Sequence, residues 1–185
     1  DLFINYDALA NVFLPGTHAN LQVKATQCLT DLSFDFEQTN HTFGDIIQGG
    51  WLTSHEPDGD WLYGADVGVH PAYRGRGLAH ALYAARQELV WALGLKGQVT
   101  AGMMSGYGAV KDRMSADEYY EALVSGRITD PTLSVQRRVG FELRALIPNY
   151  LNDPVCDNYS VLIVLPASKD VVGASTPGIF TSQSV

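Results

Sequence analysis

The chain has 185 residues, of which 46% are hydrophobic, and its formal net charge is -8 at pH 7. A chain of this length can bury about two thirds of the surface that its unfolded form exposes, which predicts a single substantial core. The negative charge argues against general nucleic-acid binding, because affinity for the phosphate backbone depends on Lys and Arg. No apolar run approaches the ~20 residues that cross a bilayer, and the N-terminal segment lacks the pattern of a signal peptide. We therefore expect a cytoplasmic protein with neither a nucleic-acid nor a membrane partner.

The two cysteines indicate neither a disulfide framework nor a structural metal site. Only Cys28 and Cys156 occur, and neither has a second thiol or a histidine at the spacing of a metal ligand. This usage does not favour a disulfide framework or a zinc site. We expect no metal.

Short apolar patterns and one polar excursion occupy the first third of the chain. The apolar residues of segment 1–15 predict a short helix. Alternation of apolar and polar residues in 21–25, and again in 32–36, predicts two antiparallel strands with one solvated face each. The glycine-containing segment 37–60 predicts a long excursion with a short helix near 42–47.

The middle of the chain carries the clearest pattern. A strand is predicted over 61–69, where it ends before a proline that cannot donate to a ladder. A helix follows, because apolar residues recur every three or four positions: Leu78, Leu82, Ala85, Leu89 and Leu93. The same period turns residues 86–88 outward. Gly94 is placed to end this helix, and 98–102 predicts a short strand.

The segment after this strand predicts two more helices. Residues 103–129 resemble an insertion with its own helix, in which Ser115 and Glu118 form a capping box and Gly126 follows the last turn. Asp130 and Pro131 predict the N-cap and first turn of another helix that ends at Gly140.

The last part of the chain predicts two strands and a tail. The strands are expected over 141–147 and 159–165. Residues 166–185 are rich in Ser, Thr, Gly and Pro, which favours an extended or disordered segment. We therefore expect a single domain over 1–165, followed by a tail over 166–185.

The sequence Arg74-Gly75-Arg76-Gly77-Leu78-Ala79 lies between the predicted strand 61–69 and the long helix. A helix N-terminus has unpaired N–H groups and a partial positive charge, so it favours an anion. Gly75 and Gly77 permit a close approach to the backbone, and Arg74 and Arg76 add guanidinium groups suited to phosphate. The alternative is a tight turn with solvated arginines.

Two other phosphate-binding patterns fit this loop less well. The dinucleotide-binding pattern requires a third small residue where His80 stands. It also requires an acidic residue about 20 positions later, where Lys96 and Gly97 lie. The Gly-Lys-Ser/Thr of the P-loop is absent from the sequence.

This loop resembles motif A of the GNAT superfamily of acyl-CoA-dependent N-acyltransferases, through Arg74, Gly77 and Ala79. Residues 67–69 match the preceding strand of that family, and 134–142 resemble its later helix ending in Gly-Phe-Glu. A narrower likeness is to the GNAT domains found beside carbon–nitrogen hydrolase domains in bacteria, and it covers about 42–165. That likeness is carried by residues 58–67, 105–107, 130–134 and 148–153.

The resemblance implies an α/β (α+β) GNAT fold, with a central mixed twisted sheet, splayed parallel strands and flanking helices. The cofactor, acetyl-CoA, would lie where strands 61–69 and 98–102 separate. Pantetheine and the thioester would meet the first strand, and the pyrophosphate would meet the loop. The implied cofactor-binding residues are Val67, Gly68, Val69, Arg74, Gly75, Arg76, Gly77, Leu78, Ala79, Ser134 and Arg137.

Catalytic residues follow less directly from the resemblance. Many GNAT enzymes have a tyrosine as general acid four residues before the Gly of Gly-Phe, where this chain has Gln136, which cannot supply a proton. Asp66 is a candidate base, and Tyr107 and Tyr150 are candidate acids. The alternatives are a solvated strand carboxylate for Asp66 and packed tyrosines with hydrogen-bonded hydroxyls.

The implied function is an N-acetyltransferase that moves an acetyl group from acetyl-CoA to a primary amine of a small molecule or protein by direct attack. The partner would be this amine-bearing acceptor, and a homodimer stays open. Because Gln136 departs from the family pattern, the alternative is an acyl-CoA-binding sensor or module with little catalytic activity.

Overall fold

The structure is a computed structural model that describes residues 25–167. Within that range, five strands form one sheet: β1 (Ala25–Leu32), β2 (Trp61–Val69), β3 (Gly97–Met103), β4 (Glu142–Ile147) and β5 (Ser160–Pro166). Their order is β1-β2-β3-β5-β4, with β2 and β3 parallel and the other neighbours antiparallel. The helices are α1 (Phe43–Ile47), α2 (Leu78–Leu93), α3 (Ala116–Val124) and α4 (Leu133–Val139). This mixed sheet with flanking helices confirms the predicted fold class.

The elements predicted from residue 42 onward are found with bounds that differ by one or two residues. Gly94 and Gly140 end α2 and α4 in the left-handed conformation. Ser115 and Glu118 form the predicted capping box of α3. The predicted helix in 1–15, most of the predicted strand 21–25, and residues 168–185 lie outside the described residues.

The strand predicted over 32–36 is wrong, because only Leu32 belongs to a strand, the end of β1. Phe34 and Phe36 instead make an edge-to-face contact with ring centroids 5.0 Å apart. Phe36 makes a second such contact with Trp61, also at 5.0 Å. The alternation of apolar residues therefore reflects aromatic packing in the irregular segment after β1. A period-two sequence pattern alone does not distinguish such packing from a strand.

The predicted outward face of α2 is also wrong for two residues. Arg86 and Gln87 are each 1% exposed, whereas Leu93 of the predicted apolar stripe is 49% exposed. Gln87 Oε1 accepts from Gln98 Nε2 at 2.7 Å, and Gln87 Nε2 donates to the Pro166 carbonyl at 3.1 Å. The helix thus packs on the sheet partly through polar side chains whose hydrogen bonds offset the cost of burial.

Asp130 does not occupy the N-cap position predicted for it, because α4 begins at Leu133 and Thr132 is the N-cap residue. The Asp130 carboxylate nevertheless accepts hydrogen bonds from the free N–H groups at the start of α4. Its Oδ1 accepts from the N–H groups of Thr132 and Leu133, at 2.8 and 2.9 Å.

Buried side chains cover both faces of the sheet. Along β5, Val161, Ile163 and Leu165 belong to one apolar cluster, whereas Leu162 and Val164 belong to another. Alternate residues of a strand point to opposite faces, so the two clusters lie on opposite sides. The first face, called the helix face here, also holds Tyr83, Leu123 and Leu133, from α2, α3 and α4 respectively. The second, called the α1 face, holds Ile46, Tyr63, Val99 and Tyr150.

Two negative findings apply to residues 25–167. No helix there combines the length and apolar composition that a bilayer crossing requires. No group of three or more His, Cys, Asp or Glu side chains there could hold a metal ion.

Candidate functional site

The parallel strands β2 and β3 separate soon after they meet. Their recorded pairs are Leu62 with Gln98 and Tyr63 with Val99. Beyond these pairs β2 continues to Val69 and β3 to Met103, so a gap opens between two neighbouring strands. Backbone groups on both edges of this gap are no longer shared, which leaves them available to other partners.

A β-bulge lies on β2 at the start of the gap. The β1 partner of Asp66 is Cys28 and that of Gly64 is Leu29, which leaves Ala65 without a partner. A bulge bends its strand and redirects side chains, and bulges are common beside active sites.

Side chains from α2 and β3 line the helix face of the gap. Thr100 Oγ1 donates to the Gly64 carbonyl, and Arg86 Nη2 donates to the Asp66 carbonyl at 2.9 Å. A Cβ at position 64 would overlap the Arg86 guanidinium. Glycine at 64 is therefore what allows the buried arginine to reach the strand.

The predicted anion loop follows directly from β2. Gly75 and Gly77 have φ values of +72° and +78°, and an added Cβ at either would meet no atom within 4 Å. Gly77 is the N-cap residue of α2 and provides no side-chain cap. Among the described residues, the backbone N–H groups from Gly75 to His80 meet no acceptor. The loop is therefore an open turn with a row of available donors at a helix N-terminus.

Both arginines of the loop are exposed and oriented by local contacts. Arg74 Nε donates to the Val69 carbonyl at 3.2 Å. The guanidinium carbon of Arg76 lies 5.2 Å from the centroid of the Tyr73 ring, which is a cation–π distance. Two cationic groups therefore lie beside the row of N–H groups.

Gln136, at the position of the family tyrosine, is 6% exposed. Its Nε2 donates to the hydroxyl of Tyr83 at 3.0 Å, and its Oε1 has no partner within the described residues. A Cβ at Gly102 would overlap that Oε1, so the amide lies against β3. Tyr83 was not among the predicted site residues, although its four-residue spacing from Ala79 places it on the same helical face as the end of the loop.

A second polar cluster lies on the α1 face. The hydroxyl of Tyr63 lies 2.6 Å from His41 Nε2 and 3.2 Å from the hydroxyl of Tyr150. Burial, with the nearby charge of Asp66, raises the pKa of Tyr150 to about 12, while its hydrogen bond with Tyr63 acts in the opposite direction. The predicted residues Asp66 and Tyr150 are therefore within electrostatic range of each other. His41 and Tyr63 were missed, and no sequence pattern marks them.

Tyr107 lies elsewhere, in the core of the helix face. Its ring contacts those of Tyr119 and Tyr159, with centroids 5.4 and 5.7 Å apart. Burial is the main cause that raises the pKa of Tyr107. The structure does not bring this residue to Asp66 or Tyr150.

Ser134 and Arg137, predicted to contact the cofactor, make contacts within the protein. Ser134 Oγ accepts from the Asp130 N–H at 2.8 Å. Arg137 Nη1 donates to the Leu123 carbonyl in the last turn of α3 at 2.5 Å. Both side chains thus help to join α4 to the segment before it.

The profile of the Acetyltransferase (GNAT) family matches residues 22–111. A Bacillus subtilis (strain 168) protein named Probable hydrolase YhcX is 41% identical over 122 residues, which are 66% of this chain and 24% of that protein. The protein named Uncharacterized N-acetyltransferase YkwB, from the same strain, is 32% identical over 132 residues, which are 71% of this chain and 58% of that protein. The chain thus spans less than two thirds of either relative. The match to YhcX is consistent with the narrower resemblance to hydrolase-associated GNAT domains.

Solved structures show the same fold at low sequence identity. The GNAT-like decarboxylase GphF, in complex with isobutyryl-CoA, aligns with a TM-score of 0.61 at 19% identity, over 79% of this chain and 73% of that one. The loading GNATL domain of CurA from Lyngbya majuscula aligns with a TM-score of 0.61 at 20% identity, over 75% and 68%. The solved structures show the fold, and the family profile together with the sequence relatives shows that the chain belongs to the Acetyltransferase (GNAT) family.

Proposed function

We propose that this protein is an N-acetyltransferase that transfers an acetyl group from acetyl-CoA to a primary amine of a small molecule or protein. One observation carries the proposal: the N–H groups from Gly75 to His80 meet no acceptor among the described residues, at the end of a strand that has parted from its neighbour. Such a row favours a diphosphate, because several donors and the helix dipole act on it together. An acyl-CoA carries such a diphosphate. It also carries amide groups in its pantetheine arm, which can hydrogen-bond to the backbone groups on the separated strand edges.

The two faces of the sheet would then have different tasks. The loop and α2 belong to the helix face, so the cofactor would lie there, with its thioester in the gap beside Val67, Gly68 and Val69. The acceptor amine would approach from the α1 face, where Asp66 is exposed. The amine attacks the thioester carbon, a backbone N–H stabilises the oxyanion, and the C–S bond then breaks.

Tyr83 is the group placed to protonate the departing thiolate. It lies on the helix face and accepts a hydrogen bond from Gln136, and the structure records no acceptor for its own proton among the described residues. The Arg86 guanidinium carbon is 5.3 Å from the centroid of the Tyr83 ring, a cation–π distance that holds the phenol in place. Gln136 would act by fixing the phenol.

The relatives support an acyl-CoA as the class of acyl donor, but they do not identify which acyl group it carries. YkwB carries the name of an N-acetyltransferase, and GphF holds isobutyryl-CoA on the same fold. We propose acetyl-CoA for this chain, with cytoplasmic action on an amine and with neither a nucleic-acid nor a membrane partner. Calorimetric titration with acetyl-CoA, isobutyryl-CoA and CoA compares the donors directly. No heat with any of the three would overturn the assignment.

The second candidate is an acyl-CoA-binding module, which the glutamine at position 136 favours. The two functions separate in an assay that follows CoA release with a thiol reagent across a panel of primary amines. Acceptor-dependent release above the rate without protein supports the transferase. Tight binding of acetyl-CoA with no release for any amine supports the module.

A further inference from the structure

Three side chains on the α1 face form a hydrogen-bonded chain with a defined direction. His41 Nδ1 lies 2.7 Å from the Thr39 carbonyl, which can only accept, so Nδ1 carries a proton. In the neutral ring Nε2 is then the acceptor, and the Tyr63 hydroxyl at 2.6 Å donates to it. The Tyr63 oxygen in turn accepts from the Tyr150 hydroxyl at 3.2 Å. Tyr63 and Tyr150 thus each have a proton to pass toward His41.

This chain lies at the gap between the strands. Tyr63 is the last β2 residue that pairs with β3, and its partner there is Val99. The Tyr63 phenol therefore lies at the point where the strands part, on the face opposite the α2 loop.

The surroundings of His41 keep its imidazole neutral, so that its Nε2 can accept a proton. Burial is the main cause that lowers the pKa of His41, while the Thr39 carbonyl and the more distant Asp45 carboxylate act in the opposite direction. The imidazole is therefore neutral near pH 7 and able to accept a proton. Tyr63 and Tyr150 are the titratable groups that face it from β2 and from the segment after β4, and Asp66 lies beyond Tyr150.

We propose that Tyr150, Tyr63 and His41 form a proton relay that accepts the proton of the attacking amine, an inference that rests on the proposed transferase function. Tyr150 is the catalytic residue that meets the amine, and Tyr63 and His41 act through it. As the C–N bond forms, the nitrogen gives a proton to the Tyr150 oxygen. Tyr150 passes its own proton to Tyr63, and Tyr63 passes its own to His41 Nε2. The C–S bond then breaks, the thiolate takes a proton from Tyr83, and the imidazolium and phenolate are reset through solvent.

The test uses hydroxylamine with acetyl-CoA, because so small a nucleophile needs no dedicated acceptor site and its product, acetohydroxamate, is measured directly. His41→Gln and Tyr150→Phe should each lower kcat about 100-fold, the usual range for loss of a general base, while the Kd for CoA stays the same. His55→Gln is the matched control. His55 is also half-buried and hydrogen-bonded, through Nδ1 to the Asp31 N–H at 3.3 Å, but it lies outside the relay.

Two further readouts separate a relay from a packing role. The ratio of the wild-type rate to the His41→Gln rate should fall as the pH decreases below 6.5, the ordinary pKa of histidine, because a protonated His41 cannot accept a proton. Protonation of hydroxylamine affects both rates alike, so it does not change the ratio. In His41→Ala, added imidazole should restore activity, whereas pyrrole, of equal size but without a basic nitrogen, should not.

The outcomes distinguish the relay from the function on which it rests. If the wild-type protein transfers acetyl but His41→Gln is as active as His55→Gln, or pyrrole rescues as well as imidazole, the relay is overturned and the transferase assignment stands. If the wild-type protein forms no acetohydroxamate although it binds acetyl-CoA, the transferase assignment fails and the relay fails with it.

Discussion

The side-chain amide of Gln136 donates to the hydroxyl of Tyr83 at 3.0 Å, and this bond joins α4 to α2 on the helix face of the gap. A residue that cannot itself supply a proton is thus held against one that can. In the proposed mechanism, Tyr83 on α2 would therefore supply the proton that a tyrosine at the position of Gln136 supplies in many GNAT enzymes.

Replacement of this hydroxyl should slow the reaction without loss of the cofactor. Tyr83→Phe keeps the ring packed against Phe141, whose centroid is 5.4 Å away, but removes the proton donor. We expect kcat to fall about 100-fold, with CoA affinity within about twofold of wild type. Tyr120→Phe, on a half-buried tyrosine of α3, is the control and should retain full activity. Equal rates for the two variants would remove Tyr83 from the mechanism.

The order of elements could be predicted because local patterns determine it. The apolar spacing and Gly94 gave the bounds of α2, and the proline after His70 gave the end of β2. Local patterns cannot show which polar residues face the sheet. Arg86 and Gln87 follow an outward period but are buried, because the separated strand edge and Gln98 provide the hydrogen bonds that they need.

Some residues of the candidate site could likewise be predicted from local patterns, whereas others could not. The anion loop is a local motif, so Arg74, Gly75, Arg76 and Gly77 could be named in advance. The relay depends on contacts between residues far apart in sequence: His41 and Tyr63 are 22 positions apart, and Tyr63 and Tyr150 are 87. Tertiary packing brings these side chains together, because the segment before α1, strand β2 and the segment after β4 meet on the α1 face.

The loop glycines should matter for the cofactor beyond their effect on stability. Gly77→Val forces a β-branched residue into φ of +78° and fills the space where a diphosphate would approach. We expect CoA to bind about 10-fold to 100-fold more weakly. The matched control is Gly126→Val after α3, where φ is +73° and the surroundings are equally open. Both should lose similar stability, so equal CoA affinities in titration calorimetry would contradict the placement of the loop.

The buried carboxylate of Asp130 should be important for stability. Its Oδ2 accepts from the Gly106 N–H at 2.8 Å and the Tyr119 hydroxyl at 2.9 Å, in addition to the two N–H groups at the start of α4. Asp130→Ala leaves all four donors without this acceptor and should lower the free energy of unfolding by about 3–5 kcal/mol. Tyr119→Phe removes one of the four bonds and should cost about 1–2 kcal/mol in urea denaturation. A loss below about 1 kcal/mol for Asp130→Ala would show that solvent replaces the carboxylate.

The close contact between the Arg86 side chain and β2 can be tested by adding a single methyl group to the strand at Gly64. Gly64→Ala places a Cβ where the guanidinium lies, so the arginine or the strand must shift, at a cost of about 1–3 kcal/mol. Gly44→Ala is the control, because its Cβ would have Thr42 Oγ1 as its nearest neighbour at an ordinary 3.5 Å. Alanine also favours the exposed helix α1 by up to about 1 kcal/mol. Urea midpoints that moved in the same direction for both variants would contradict this account.

The lowered pKa of His41 should make its contribution to stability depend on pH. Above pH 6.5 the imidazole is neutral in both the folded and the unfolded chain, so its contribution to folding is fully present. As the pH falls below 6.5, the unfolded chain binds a proton that the buried ring does not, and this contribution is lost until the folded pKa is passed. His41→Gln lacks this term, and other groups affect both proteins alike. The stability advantage of wild type over His41→Gln should therefore shrink as the pH falls from about 8 to about 5 in urea titrations. A constant difference over that range would mean that His41 titrates as an ordinary solvated histidine, with no buried proton acceptor at the end of the Tyr63 bond.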